Sequence, residues 1–118
     1  IAPAPGVEAV ALPPADGQIA PASVLAALAE RGFKRILIEG GADTVSRFIA
    51  AKCLDRLHVV VAPMILGSGR TGISLPPIET CDEALRVPVH VHQLGDEVLY
   101  YCDLSAQRIP AGFANRSI

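Results

Sequence analysis

Ile36-Leu37-Ile38-Glu39-Gly40-Gly41-Ala42-Asp43-Thr44 places an apolar run, a carboxylate and two glycines directly ahead of a helix-forming segment. Arg35-Ile36-Leu37-Ile38 shows no polar alternation, the pattern of a parallel strand covered on both faces. Glu39-Gly40-Gly41 ends it. From Ala42 to Cys53, Val45, Phe48, Ile49 and Lys52 recur at helical spacing, which assigns Ser46, Arg47 and Ala50 to the rest of the surface. Upstream, Pro21 suits a first helical turn, Val24, Leu25 and Leu28 share a face, and Gly32 suits a left-handed terminator, so a helix is expected over Ala22 to Arg31. Helix, strand, glycine turn and helix indicate an α/β layer structure.

A strand that releases a carboxylate and two glycines before a helix is suited to be a ligand-binding edge. Glycines let the backbone approach a ligand, and the free N–H groups of the next helix, aided by its dipole, suit a pyrophosphate. Thr44 and Ser46 add hydroxyl donors. The plainer reading, a tight strand-to-helix turn, explains Gly40-Gly41 equally well, and a lone glycine pair does not separate the two. Asp43 stabilises the first turn yet competes with an anionic ligand for the same positive end. Glu39 falls at the carboxyl end of the predicted strand, where open α/β folds bind ligands. Its alternatives are capping or a salt bridge to Arg35 or Arg56.

Further out, Gly6 to Leu12 suggests a short strand closed by the turn-forming Pro13-Pro14-Ala15-Asp16-Gly17. Leu57 to Ala62 is rich in β-branched residues and stops at Pro63. The glycine-rich loop Gly67-Ser68-Gly69-Arg70-Thr71-Gly72 follows a strand rather than opening a helix, which favours a structural bend over an Arg70 anion site. Val87 to Leu94 and Glu97 to Leu104 flank Gly95-Asp96, a two-residue hairpin turn. The sheet is therefore expected to be mixed, with an antiparallel C-terminal part, and residues 105–118 read as a tail without clear period.

Hydrophobic residues make up 51% and charged residues 19% of the 118-residue chain, so the chain is short of charge for coating its own surface and is expected to meet another chain or segment. A net charge of -2 without a basic run, and few aromatic residues, argue against nucleic acid. The longest apolar run, Val59 to Leu66, is far shorter than the roughly 20 residues of a membrane helix. Cys53, Cys81 and Cys102 form no CxxC pair, which argues against a disulfide framework or a cysteine zinc site and suits a reducing cytoplasm. His58, His90 and His92 lie in predicted strands; His90 and His92 share a face with no third ligand in clear register, so they read as sheet-surface histidines and no metal site is expected. The start at Ile1 reads as that of a truncated or processed chain.

Ile38-Glu39-Gly40-Gly41, then a helix, then Leu54-Asp55-Arg56-Leu57, then Val61-Ala62-Pro63-Met64-Ile65-Leu66-Gly67-Ser68-Gly69, resembles the RibD C-terminal reductase domain, with the blocks in family order from about Leu25 to Gly69. One departure is Cys53-Leu54-Asp55-Arg56, where many relatives carry glycine before the leucine and Asp-Glu after it. The resemblance implies a three-layer dihydrofolate-reductase-like fold with NADPH as cofactor. It implies reduction of the ribosyl group of 5-amino-6-ribosylaminouracil 5'-phosphate to ribityl, in riboflavin biosynthesis. By the same resemblance Glu39 takes the substrate-binding position, and Gly41, Ala42, Asp43, Thr44, Val45, Ser46 and Arg47 line NADPH, with Gly40 shaping the turn beside them. No residue is assigned as general acid, since hydride transfer depends mainly on positioning.

The family domain begins with a strand and loop that supply much of the pocket, and these do not precede Ile1. Residues 1–104 are thus expected to be the C-terminal portion of such a domain, incomplete as an enzyme without its other half or a complementary chain. A cytoplasmic homodimer is the expectation from the same resemblance. Two other readings remain: a relative reducing another heterocycle, and a non-catalytic dimerising fragment.

Overall fold

The computed structural model describes residues 3–110. The chain divides into two compact units, the first ending at Leu37 and the second running Ile38–Pro110. In the first, helix α1 (Pro21–Glu30) has Pro21 at its first position, where a missing N–H costs nothing. Gly32, at φ +83°, closes it. The Gly32 amide donates to Ala29 O and the Phe33 amide to Leu28 O, the paired bonds of a Schellman ending. Leu25 and Ala27 are buried, and Arg31 reaches back to pair with Glu8 at 2.5 Å. That hydrogen bond from Arg31 holds the Glu8 carboxyl below the usual range, but the pair is solvent-exposed and contributes little.

The second unit opens with Glu39-Gly40-Gly41 and helix α2 (Ala42–Ala50). The helix ends three residues before the expected Cys53. Lys52 adopts φ +53°, its amide donates to Ile49 O and the Cys53 amide to Phe48 O, so the chain turns away through a Schellman ending built on a lysine. An L-residue held left-handed costs about 1–2 kcal/mol, more than the extra backbone entropy that glycine loses on folding. Lys52→Gly is therefore expected to stabilise the unit by about 0.5–1 kcal/mol, read as a higher urea midpoint. An unchanged midpoint would mean that the lysine side chain compensates the backbone.

A three-stranded sheet follows, β1 (Arg56–Val61), β2 (Val89–Leu94) and β3 (Glu97–Asp103), in the order β1-β3-β2. Both pairings are antiparallel, with Val59 opposite Tyr100 and Val91 opposite the same tyrosine. The hairpin turns at Gly95-Asp96, and only Gly95 (φ +63°) is left-handed, as in a type II′ turn. Phe48, Ile49, Cys53, Leu54 and Leu104 are the buried apolar residues of this unit. The Leu104 amide donates to Asp55 O and the Ile109 amide to Lys52 O, while Arg108 pairs with the Asp55 carboxylate. Residues 105–110, read as part of a tail, are thus fastened to the link between α2 and β1, with a short 3₁₀ turn at Ser105–Gln107. Residues 111–118 of that expected tail lie outside the described residues.

Three expectations are corrected. Residues 7–12 form no strand; Val7 and Val10 are exposed. Arg35-Ile36-Leu37-Ile38 is irregular rather than a parallel strand, and Leu37 is 83% exposed. A strand exists only by hydrogen bonding to a neighbour, and no described segment supplies one to either stretch. In consequence the described sheet is purely antiparallel, not mixed. What stands is a chain of mixed helices and strands, compatible with the α/β class.

Candidate functional site

The amino end of α2 is open. Gly41 is its N-cap, in extended conformation at φ -70°, and no side chain caps it. The first helical bond runs from the Val45 amide to Gly41 O, which leaves the amides of Ala42, Asp43 and Thr44 without helical acceptors. The two glycines differ in kind. A Cβ on Gly40 would lie 3.2 Å from Thr44 Cβ and 3.3 Å from its Oγ1, so this position is small because Thr44 packs over it. A Cβ on Gly41 would meet nothing within 4 Å, and its φ suits any residue. Neither backbone conformation nor packing among the described residues calls for glycine at 41; room in front of the helix remains as its use.

Glu39 stands exposed beside this opening, and among the described residues it takes part in no hydrogen bond or ion pair. The alternative salt bridge to Arg56 is not formed, since Arg56 is engaged by Asp103 at 2.6 Å and donates to Tyr101 Oη at 2.8 Å. Asp43 is exposed in the first turn, and Thr44, Val45 and Arg47 are half-buried. Ser46 departs from expectation. Rather than lying on the surface, it is 5% exposed, and its Oγ accepts a hydrogen bond from the Ser74 amide at 2.7 Å. A hydroxyl small enough to sit on an apolar stripe is tolerated there because a partner meets it.

Away from α2, strand register gathers a group that sequence reading did not assemble. His58 and His90 lie opposite Tyr101 from the two flanking strands, with ring centroids 4.9 and 6.4 Å from the tyrosine, and the Arg56 guanidinium stands 5.9 Å over the same ring. Asp103 accepts from the Ser105 hydroxyl and amide, which together with nearby Arg56 and His90 lowers its pKa from the usual aspartate range. Counting residues outward from Gly95-Asp96 would have paired His90 with Tyr101; nothing local would have added His58. Among the described residues no three His, Cys, Asp or Glu side chains gather to hold a metal ion. The Cys53 thiol is pushed up by burial, the opposite of an activated nucleophile. No helix of the described residues is long and apolar enough to cross a membrane.

The RibD C-terminal domain model matches residues 4–100, a span that takes in α1, the Glu39-Gly40-Gly41 turn, α2, β1 and β2. The chain belongs to the RibD C-terminal domain family. It is also similar to the riboflavin biosynthesis protein RibD of Bacillus amyloliquefaciens, at 43% identity over 44 residues, 37% of this chain. That stretch spans 12% of the Bacillus protein's own length.

Proposed function

We propose that this chain forms the α2 side of an NADPH-dependent reductase that converts the ribosyl group of 5-amino-6-ribosylaminouracil 5'-phosphate to ribityl. The observation that carries the reading is the pairing of an unengaged carboxylate, Glu39, with a helix amino end left open by Gly41. Three free amides and the positive end of the helix dipole fit a pyrophosphate, and the empty space over Gly41 admits one closely. The dinucleotide supplies the hydride. Gly41, Ala42, Asp43, Thr44, Val45 and Arg47 line it, with Gly40 fixing the approach of the turn. Glu39 accepts hydrogen bonds from amino or hydroxyl groups of the pyrimidine substrate and holds it in place, so that the chain's contribution to the reaction is orientation. The site belongs to a dihydrofolate-reductase-like fold, placed in the cytoplasm.

The complete site needs a further segment. Val59-Val60-Val61 in β1 is apolar on both faces, the composition of an inner strand, yet β1 stands at the edge of the described sheet. An added strand along that edge, from the remainder of the domain or a complementary chain, would complete the sheet. A second copy is the proposed partner for the sheet face carrying Val61, Val89, Val91 and Tyr100, each at least 40% exposed. That apolar face also favours the second reading, a non-catalytic dimerising chain.

Intact mass followed by NADPH titration of the same sample tests the proposal. Ligand at 100 times Kd stabilises the folded state by about 2.7 kcal/mol, so a clear rise in melting temperature is expected for the complete domain. Dimerisation without any NADPH-dependent stabilisation would favour the second reading. Binding with turnover of a pterin, and none of the ribosylaminopyrimidine, would retain the reductase and replace its substrate.

A further inference from the structure

Residues 62–80, between β1 and the short 3₁₀ turn at Cys81–Glu83, contain no helix or strand, and nearly all of them are exposed. Irregular segments of this length are uncommon in compact domains unless they serve a function or act as linkers. The hydrogen bonds within this one are local: the Met64 amide donates to Ala62 O and the Ser68 amide to Leu66 O. A hydrogen bond to a distant part of the chain runs from the Ser74 amide to Ser46 Oγ, at 2.7 Å and 28 residues' separation. Ser46 is buried on α2, one turn beyond the open amino end. A buried hydroxyl receiving a main-chain donor is a fixed anchor, because leaving it unpaired would cost its desolvation.

Resting on the function proposed above, we propose that Ser46 is a positioning residue, one that pins the Gly67–Ser74 loop to the cofactor-lining helix so that the loop walls the dinucleotide site. Its hydroxyl is committed to Ser74 and does not face the cofactor. The polar contribution of this part of α2 to the nucleotide therefore comes from the helix amides and from the loop that Ser46 holds. Gly67, Gly69 and Gly72 keep the loop's backbone uncovered, and none would meet a neighbour within 4 Å if given a Cβ, so no described group packs over the loop at these positions.

Limited trypsin digestion of the complete reductase, with cleavage after Arg70 followed by mass spectrometry, reads the anchor directly. Arg70 is the one lysine or arginine between Arg56 and Arg86, so the fragment is unambiguous. Ser46→Ala is expected to speed cleavage at Arg70 roughly three- to tenfold, the range set by one hydrogen bond, with cleavage after Arg56 unchanged as the control for folding. Ser46→Thr, which keeps the acceptor, should restore protection. NADPH should protect Arg70 in the unsubstituted protein, and Ser46→Ala should raise the KM for NADPH about three- to tenfold while kcat stays within about twofold. Equal cleavage of the unsubstituted protein and Ser46→Ala without cofactor would overturn the anchor, whatever the cofactor does. Faster cleavage with NADPH affinity unchanged would overturn the link to the dinucleotide site. A protein that binds no NADPH would instead overturn the functional reading and leave the cofactor-free cleavage result to judge the anchor alone.

Discussion

Leu104→Ala is expected to destabilise the second unit by about 2–5 kcal/mol, enough to consume much or all of the roughly 5–15 kcal/mol that holds a domain together. Leu104 is 3% exposed, the lowest value among the buried apolar residues of the described chain segment. It follows β3 directly, and its amide donates to Asp55 O, so the residue joins the sheet's end to the link from α2. Truncation removes buried methyl groups and leaves a cavity in a core of few members, where little else is available to collapse into the space. Ile65 supplies the contrast, since it is fully exposed and Ile65→Ala should change stability by no more than about 0.5 kcal/mol. Urea denaturation of both variants checks the pair. Equal midpoints would mean that Leu104 is replaceable or that Ile65 is covered in solution by a partner.

The same distinction between local and distant support explains what could be read from the chain beforehand. α1 was legible because Pro21 and Gly32 mark its ends and the bonds they serve lie within a few residues. The hairpin was legible for the same reason, Gly95 supplying the turn on which its register depends. Residues 7–12 and 35–38 were misread because apolar, β-branched composition states a preference for a sheet without stating which neighbour will provide the hydrogen bonds. The end of α2 was misplaced because a left-handed lysine carries no compositional signal. Within the site, Glu39-Gly40-Gly41 could be located, and the difference between the two glycines could not, since it depends on Thr44 folding back over Gly40. Ser46 was assigned to the surface because its partner lies 28 residues away in a loop without a pattern.

Glu39→Gln is expected to lower kcat/KM for the ribosylaminopyrimidine phosphate by roughly 10- to 150-fold, the equivalent of about 1.5–3 kcal/mol for hydrogen bonds to a charged group. The fold should be indifferent to the change, because Glu39 is exposed and holds no partner among the described residues that glutamine would abandon. NADPH affinity should be equally indifferent, since the amides of Ala42, Asp43 and Thr44 are untouched. Gly41→Val provides the reciprocal test: its side chain enters the space before the helix, so cofactor binding should weaken while the substrate contact at Glu39 survives. Steady-state kinetics in the complete reductase, with each substrate varied in turn, separates the two effects. If Glu39→Gln raised the KM for NADPH and left that for the pyrimidine unchanged, the carboxylate would belong to the cofactor side, and the substrate would have to be held by groups outside the turn. If neither constant moved, the unengaged carboxylate would be an ordinary solvated residue, and the case for this edge would rest on Gly41 alone.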